Sequence, residues 1–319
     1  MLFLNIEGLF RGKDKWKRIN FLRDITSDEK PKFIAVTESH LNEQINDSEI
    51  SIPNYSVYRS DRLNRVQGGV VIYIEQPLLV DEDSMLKFSN GVCELLIIKI
   101  KEINMHIATV YRPPDTSATE FSECLNKMKE YFTNDTVHDK IMLLGDFNLP
   151  FLKWKEYDNS IIPCIQTGGT TDQRHQAENL IEFTNNMFLE QTVMNPTRAH
   201  NVLDLIFTND EDLINISLIS DTSISDHRMI CATININNDN APCDTEPECD
   251  SRLGNFSFWS DRSDWNAVND SLAQINWSSI ISNESDVKSD MKIFYDKCYT
   301  ACVDNIPTKK ESKQEQDST

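Results

Sequence analysis

Apolar residues gather in short runs at residues 33–38, 69–74, 94–100, 106–111, 141–144, 203–208 and 229–236. Each run is strand-sized, rich in Ile and Val and bounded by polar residues, so each predicts a buried β-strand. Between them the period changes. Trp16, Ile19, Leu22 and Ile25 recur every three residues, Phe121, Leu125, Met128 and Phe132 fall at helical offsets, and Ala177, Leu180, Ile181, Thr184 and Phe188 make a third stripe. These predict helices with one apolar face. Strands that follow one another directly, mixed with helices, predict an α/β domain in which two sheets pack together under a cover of helices.

Periodicity stops near Asn238. The stretch from Asn237 to Asp250 is polar, acidic and proline-bearing, and predicts a linker. Beyond it the helical pattern returns: Trp265, Val268, Leu272 and Ile275 share one spacing, and Met291, Phe294, Tyr295 and Cys298 another, until Pro307 ends it. The expected organisation is a domain over residues 1–237, an acidic linker over 238–254, a helical segment over 255–307 and a disordered tail over 308–319.

Composition narrows the class. Hydrophobic residues make up 39% and charged residues 26% of the 319, as in a soluble globular protein. No apolar run approaches the roughly 20 residues of a membrane span, so no membrane partner is expected. The N-terminus lacks the basic and apolar regions of a secretory signal. The eight cysteines form no Cys-x-x-Cys pair, which reads as reduced thiols in a cytoplasmic or nuclear protein. The net charge of −20 is awkward for a nucleic-acid partner, since binding through counterion release calls for basic patches. Residues 1–237 alone hold 23 basic against 35 acidic residues. Charge by itself favours a protein that does not bind nucleic acid. The other reading is weak, local binding at a carboxylate-rich cleft offset by metal ions.

The chemistry lies where strands end. One run finishes in Thr37-Glu38 and another in Gly145-Asp-Phe-Asn148; Asp204 opens a third, and Ser225-Asp-His227 precedes a fourth. Catalytic groups in α/β folds collect where strands give way to loops. Carboxylate, amide and imidazole suit phosphodiester hydrolysis, which needs a metal against developing charge and a base for water. Oxygen ligands favour Mg²⁺, or Mn²⁺, over zinc. Taken singly, each group has an ordinary reading. Glu38 suits a helix cap, Asp146 with Asn148 a tight turn, Asp204 a structural carboxylate and Ser225-Asp-His227 another turn. Their joint occurrence at strand boundaries argues for a site.

In order, Asn5-Ile-Glu-Gly-Leu9, Thr37-Glu38, Val110-Tyr-Arg-Pro-Pro114, Gly145-Asp-Phe-Asn148, Asn195-Pro-Thr-Arg198, Leu203-Asp-Leu-Ile-Phe207 and Ser225-Asp-His227 resemble the endonuclease/exonuclease/phosphatase superfamily. Within it they look like the apurinic-type endonuclease of non-LTR retrotransposons, near the chicken-repeat and Jockey groups. The resemblance covers about residues 2–237. The segment around Phe256, Trp265 and Trp277, with the Ile306-Pro-x-Lys-Lys310 ending, resembles the connector these elements place before reverse transcriptase. No reverse transcriptase motif follows, so the chain reads as a fragment or truncated copy.

The resemblance implies a four-layer α/β/β/α sandwich with a short C-terminal helical appendage. It also implies roles. Glu38 is the main metal ligand, aided by Asn5, with Asp226 near the metal. Asp146 orients or deprotonates water, Asn148 hydrogen-bonds the phosphate or that water, Tyr111 contacts the phosphate, and His227 donates to it with Asp204 behind its ring. Thr197 and Arg198, and with them Arg112, reach the DNA. Glu7 reads either as an auxiliary metal ligand or as a solvated acid. His40, His106, His138, His175 and His200 read as surface or packing residues. Arg59, Arg62 and Arg65 read either as phosphate contacts or as solvated. The implied activity is Mg²⁺-dependent nicking of duplex DNA to leave a 3′-hydroxyl for reverse transcription. Two alternatives stand beside it: a phosphoesterase of the same fold acting on lipid or inositol phosphates, and a decayed non-catalytic copy.

Overall fold

The structure is a computed structural model that describes residues 1–12, 14–62, 67–133, 139–157, 160–235, 263–277 and 287–306. Two compact units divide the chain, Met1–Asn238 and Asp239–Thr319. In the first unit the strands are β1 (Leu2–Asn5), β2 (Phe33–Thr37), β3 (Tyr55–Ser60), β4 (Val70–Glu75), β5 (Leu86–Ser89), β6 (Glu94–Ile100), β7 (Met105–Tyr111), β8 (Lys140–Asp146), β9 (Leu152–Tyr157), β10 (Ser160–Ile165), β11 (Glu190–Gln191), β12 (Asp204–Thr208), β13 (Ile214–Ser220) and β14 (Met229–Ile234). Its helices are α1 (Lys17–Glu29), α2 (Ala118–Thr133) and α3 (Thr171–Asn186).

Two six-stranded sheets result, one in the order β13-β14-β1-β2-β4-β3 and the other β11-β12-β8-β7-β6-β5, with β9 and β10 a separate hairpin. Both sheets are mixed: β1 pairs β2 in parallel and β7 pairs β8 in parallel, while the other pairs are antiparallel. Alternate residues of one strand serve different cores, as the pleat requires. Phe33 and Ala35 face the layer between the sheets, with Leu96, Ile98 and Leu144 of the other sheet. Ile34 and Val36 face Ile19 and Leu22 of α1. Leu95 and Ile97 face Phe121 and Leu125 of α2 and Leu180 of α3. These three cores make the four-layer α/β/β/α sandwich. Apolar burial on both faces explains why the central strands read as continuous hydrophobic runs.

The seven expected runs are all strands, with ends displaced by a few residues. Sequence reading passed over β1, β3, β5, the β9–β10 hairpin, β11 and β13. β3, with the sequence Tyr-Ser-Val-Tyr-Arg-Ser, is half-buried at a sheet edge and alternates too weakly to stand out. The three helical stripes fall on α1, α2 and α3, except that Trp16 precedes α1 and Phe188 lies beyond the end of α3, exposed. Thr170 starts α3 with a capping box, its hydroxyl accepting from Gln173 N and Gln173 answering on Thr170 N.

In the second unit, α4 (Trp265–Ala273) and α5 (Val287–Val303) share a small core of Val268, Ala301, Cys302 and Ile306. Asp264 caps α4 by accepting from Ala267 N at 3.0 Å. The expected linker and the tail from residue 308 lie outside the described residues. Among the described residues, no helix is long and apolar enough to cross a membrane, and the six described cysteines are free thiols.

Candidate active site

Strand register sets the site. In one sheet Asn5 pairs with Thr37, so the residue after each parallel strand leaves the sheet at the same level. In the other, Tyr111 pairs with Asp146 and Asp146 with Asp204, placing three polar side chains abreast at one edge. Gly145 permits this register, because a Cβ there would lie 1.9 Å from the Val110 carbonyl oxygen. The loops that leave these edges are tightly turned. Glu7, Glu38, His40 and Asn148 all have φ near +50°, a left-handed conformation that costs a non-glycine residue on the order of 1 kcal/mol and collects at functional sites.

Asn5, fully buried, bridges the two sheets. Its Nδ2 donates to Glu38 Oε1 at 2.9 Å and to Asp146 Oδ2 at 2.8 Å, and its Oδ1 accepts from Glu7 N at 3.2 Å. Burial works against a charged Glu38, yet His40, Asn5 and Tyr111 outweigh it and hold its carboxyl at about 2. Glu38 is therefore ionised at neutral pH, with oxygens of the kind a hard cation takes. Tyr111 is buried, its hydroxyl is directed at Glu38, and burial with the charges of Glu38 and Asp146 raises its pKa.

Asp146 and Asp204 are fully buried. His227 Nδ1 stands 2.8 Å from Asp204 Oδ2, and its Nε2 stands 3.9 Å from Asp146 Oδ2. Burial disfavours a cationic ring, but the charge and hydrogen bond of Asp204, and then Asp146, lift its pKa to about 9. The raised value favours the protonated ring near neutral pH, and Nε2 lies 3.9 Å from both Asp146 Oδ2 and Asp226 Oδ1. Burial first, then the Asp204 charge, pushes Asp146 up to about 8. Its rotamer is fixed by Asn148, which donates from N to Oδ1 at 3.1 Å and from Nδ2 to Oδ2 at 2.9 Å.

At the rim, Arg198 donates to Asp226 Oδ2 from Nε at 2.8 Å and from Nη2 at 2.5 Å. Glu7 adjoins the same carboxylate. Its hydrogen bond with Asp226, then burial, raises the pKa of Glu7, while Asp226 is held below its usual value. Both Glu7 and Asp226 thus border the cleft.

Three expected roles change. Arg112 was expected to reach DNA, but it is 1% exposed. Its Nη1 donates to the Phe147 and Asn148 carbonyls at 3.0 and 3.1 Å, and its Nη2 to Thr116 O and Gln176 Oε1. It braces the turn behind Asp146. Thr197 is also fully buried; its Oγ1 accepts from Leu203 N and Asp204 N at 3.1 and 3.0 Å, so it holds the start of β12. The second Nδ2 donation of Asn148 goes to Arg112 O at 3.0 Å, so here its amide positions Asp146 and does not reach outward.

Two features were missed. His40 Nε2 lies 3.3 Å from Glu38 Oε2, with its ring nearly buried, in a contact of charge type without hydrogen-bond alignment. Arg62 is buried in an ion pair with Glu94, Nε to Oε1 at 2.6 Å, and its guanidinium lies 5.3 Å from the centre of the Tyr111 ring. The nearby Thr37-Glu38 and Tyr111 motifs were the only signal, because neither His40 nor Glu94 stands in a distinctive pattern.

Ligand atoms of Asp146, Asp204 and His227 lie within 4.8 Å of one another, a cluster with the donors to hold a metal ion. The expected set was Glu38 with Asn5, Asp226 and Glu7. Geometry favours the Glu38 side of Asp146, because Asp204 Oδ2 and His227 Nδ1 already satisfy each other. The donor set fits a divalent cation. Buried carboxylates crowd one another enough to raise Asp146, and a cation relieves that crowding.

Residues 105–231 match the profile of a family described as endonuclease-reverse transcriptase. The fold is similar to that of an AP endonuclease from Archaeoglobus fulgidus, with TM-score 0.53 and 12% identity over 74% of this chain and 98% of the other. It is similar to a 3′–5′ exonuclease from Neisseria meningitidis, with TM-score 0.53 and 13% identity over 73% and 98% of the two chains. An AP endonuclease from Leishmania major gives TM-score 0.51 and 16% identity over 72% and 85%.

Proposed function

We propose that the chain is a divalent-metal-dependent endonuclease of the endonuclease/exonuclease/phosphatase superfamily, a reading supported by the match of residues 105–231 to the endonuclease-reverse transcriptase family. It nicks one strand of duplex DNA and leaves a 3′-hydroxyl that a reverse transcriptase extends, acting in the nucleus or the cytoplasm. The observation that carries this reading is the Asn5 bridge. It joins an ionised Glu38 to Asp146, and His227, paired with Asp204, approaches the same Asp146 oxygen at 3.9 Å.

The oxygen of water bonds to phosphorus, the P–O3′ bond breaks, and the products are a 3′-hydroxyl and a 5′-phosphate. Asp146 accepts the proton of the attacking water, the positive charge of a bound cation favouring the ionised carboxylate that burial and Asp204 otherwise disfavour. His227, held cationic by Asp204, donates from Nε2 to a non-bridging oxygen as charge builds. Glu38 would hold Mg²⁺ or Mn²⁺, with Asp226 and Glu7 at the border and Asp146 beside it. When bound, the cation supplies positive charge against that of the reacting phosphate. Asn5 fixes the spacing of the two carboxylates, and Asn148 fixes the face of Asp146 that meets water.

The test is conversion of supercoiled plasmid to open circles with and without Mg²⁺, followed by mapping of the cut ends. Asp146→Ala and His227→Ala should each lower the rate by about 10²-fold or more while the fold survives. Full activity in either purified variant refutes the reading. The net charge of −20 favours a small phosphorylated substrate instead, so phospholipid headgroups and inositol phosphates belong in a parallel assay. Turnover of those with no nicking would replace the DNA reading.

A further inference from the structure

The chain is acidic nearly everywhere, yet residues 11–18, Arg-Gly-Lys-Asp-Lys-Trp-Lys-Arg, carry five basic residues against one acid. Its described residues run from the loop after β1 into the first turn of α1, beside the site. Backbone bonds from Gly8 N to Glu38 O and from Leu9 N to Ser39 O lay the start of the loop along the strand end that carries Glu38. Arg11 Nη1 lies 3.5 Å from His40 Nδ1, and His40 is the residue against Glu38, so one imidazole separates the basic loop from a catalytic carboxylate. Arg11 also lines a cleft of about 460 Å³ together with Tyr111, Arg62 and Pro113. At the other end, Arg18 Nε donates to Ile224 O at 3.1 Å, two residues before Asp226.

The charges of the loop are available. Arg11, Lys15 and Lys17 are exposed and Arg18 is half-buried. Among the described residues none of the four is ion-paired with a carboxylate, whereas Lys32, Lys99, Lys101, Lys127, Lys140 and Arg228 all are. Aromatic rings stiffen the surface: Phe10 and Trp16 meet edge to face at 4.8 Å, and Lys15 Nζ lies 4.7 Å from the centre of the Phe10 ring.

We propose that Arg11, Lys15, Lys17 and Arg18, with Trp16 among them, form the surface that grips the phosphate backbone of the duplex beside the scissile bond. The proposal rests on the nuclease reading and deepens it. A cluster of unpaired cations in a chain of net charge −20 fits a polyanion, and its continuity with Glu38 through His40 selects the polyanion that the site cleaves. It also explains how so acidic a protein holds DNA: binding is local, and the rest of the surface is repelled.

The test is binding of a short fluorescent duplex by the full chain in EDTA over a range of KCl concentrations, with plasmid nicking in parallel. Lys15→Glu/Lys17→Glu should weaken binding about tenfold or more near 0.1 M salt and lower the salt slope by about two, at roughly 0.9 for each phosphate no longer neutralised. The KM for nicking should rise by the same factor. Lys127→Glu, an exposed change on α2, serves as control and should match the wild type. Unchanged affinity and slope in the double variant overturn the proposal. So does tighter binding of the wild type to phosphatidylserine vesicles or polyglutamate than to the duplex. The two readings fail separately. Salt-dependent binding by a chain that never nicks keeps the surface and removes the nuclease, while normal nicking with unchanged KM in the variant keeps the nuclease and removes the surface.

Discussion

Asn5 and Asp146 stand at the ends of strands in different sheets, and the 2.8 Å hydrogen bond from Asn5 Nδ2 to Asp146 Oδ2 closes the gap between the sheets at the site. The same amide reaches Glu38. One side chain therefore sets the distance between the two carboxylates on which the proposed chemistry depends. Asn5→Ala should lower kcat/KM for nicking by about 10²-fold, because misplacement of a reacting group by an ångström has that effect. Asn5→Asp should do worse, since it puts a third acid between two. Nicking by Asn5→Ala within twofold of wild type would remove the bridge from the mechanism.

His227 and Asp146 both have folded-state pKa values above their unfolded ones, at about 9 and about 8. A group raised in this way contributes stability below its unfolded value and loses it as pH rises through the folded one. Without a cation, then, stability should fall as pH climbs from about 4 to about 9, first through Asp146 and above about 6.5 through His227 as well. A divalent cation prefers the deprotonated site and binds only the folded chain, so it should offset that fall. Thermal denaturation in EDTA and in Mg²⁺ provides the measurement. The gain from Mg²⁺ should be larger at alkaline than at mildly acidic pH, and Asp146→Ala should abolish it. Equal gains at both pH values would contradict this account.

Arg112 is structural in this fold. Burial lowers its pKa to about 10, still far above neutrality, so it stays charged among backbone carbonyls. Arg112→Ala strands those carbonyls and Gln176 Oε1, and should cost roughly 3–5 kcal/mol in urea denaturation. Arg112→Lys cannot reproduce the fork and should recover only part of that loss. A variant of wild-type stability with weakened DNA affinity would restore the role first expected of it.

His106 sits at the opposite end of β7 from Tyr111, with Nε2 2.9 Å from Asp139 Oδ2 and Nδ1 3.1 Å from the Tyr131 hydroxyl. Burial lowers its pKa in spite of Asp139. A depressed histidine contributes stability above its unfolded value near 6.5 and loses it as pH falls through its folded value. His106→Gln should therefore flatten the decline of stability below about pH 6.5 in urea titrations, with nicking at neutral pH unaffected. An unchanged acid limb would show that other groups set it.

Local pattern made much of this protein legible. Central strands such as β6 and β7 announce themselves because they are apolar on both faces, and the helices because one face is. Glu38, Asp146, Asp204 and His227 stood out because polar residues at the boundaries of apolar strands are unusual, and the structure brings these four together with Asn5, which only the family resemblance singled out. The weak elements were those with little burial: the edge strand β3 and the β9–β10 hairpin, where exposed residues such as Tyr157 and Ile162 interrupt any period.

The amino-acid order by itself determined which segments become strands and helices and which carry the acids, amide and imidazole, since propensity and periodicity act over a few residues. It could not tell an arginine that faces solvent from one that holds a turn together. Arg112 and Thr197 lie in motifs that look like DNA contacts and prove to be buried braces, while His40 and the Arg62–Glu94 pair looked ordinary and flank the site. Only packing decided these, because burial and hydrogen-bond partners are set by residues tens to hundreds of positions away, through strand register and the stacking of two sheets.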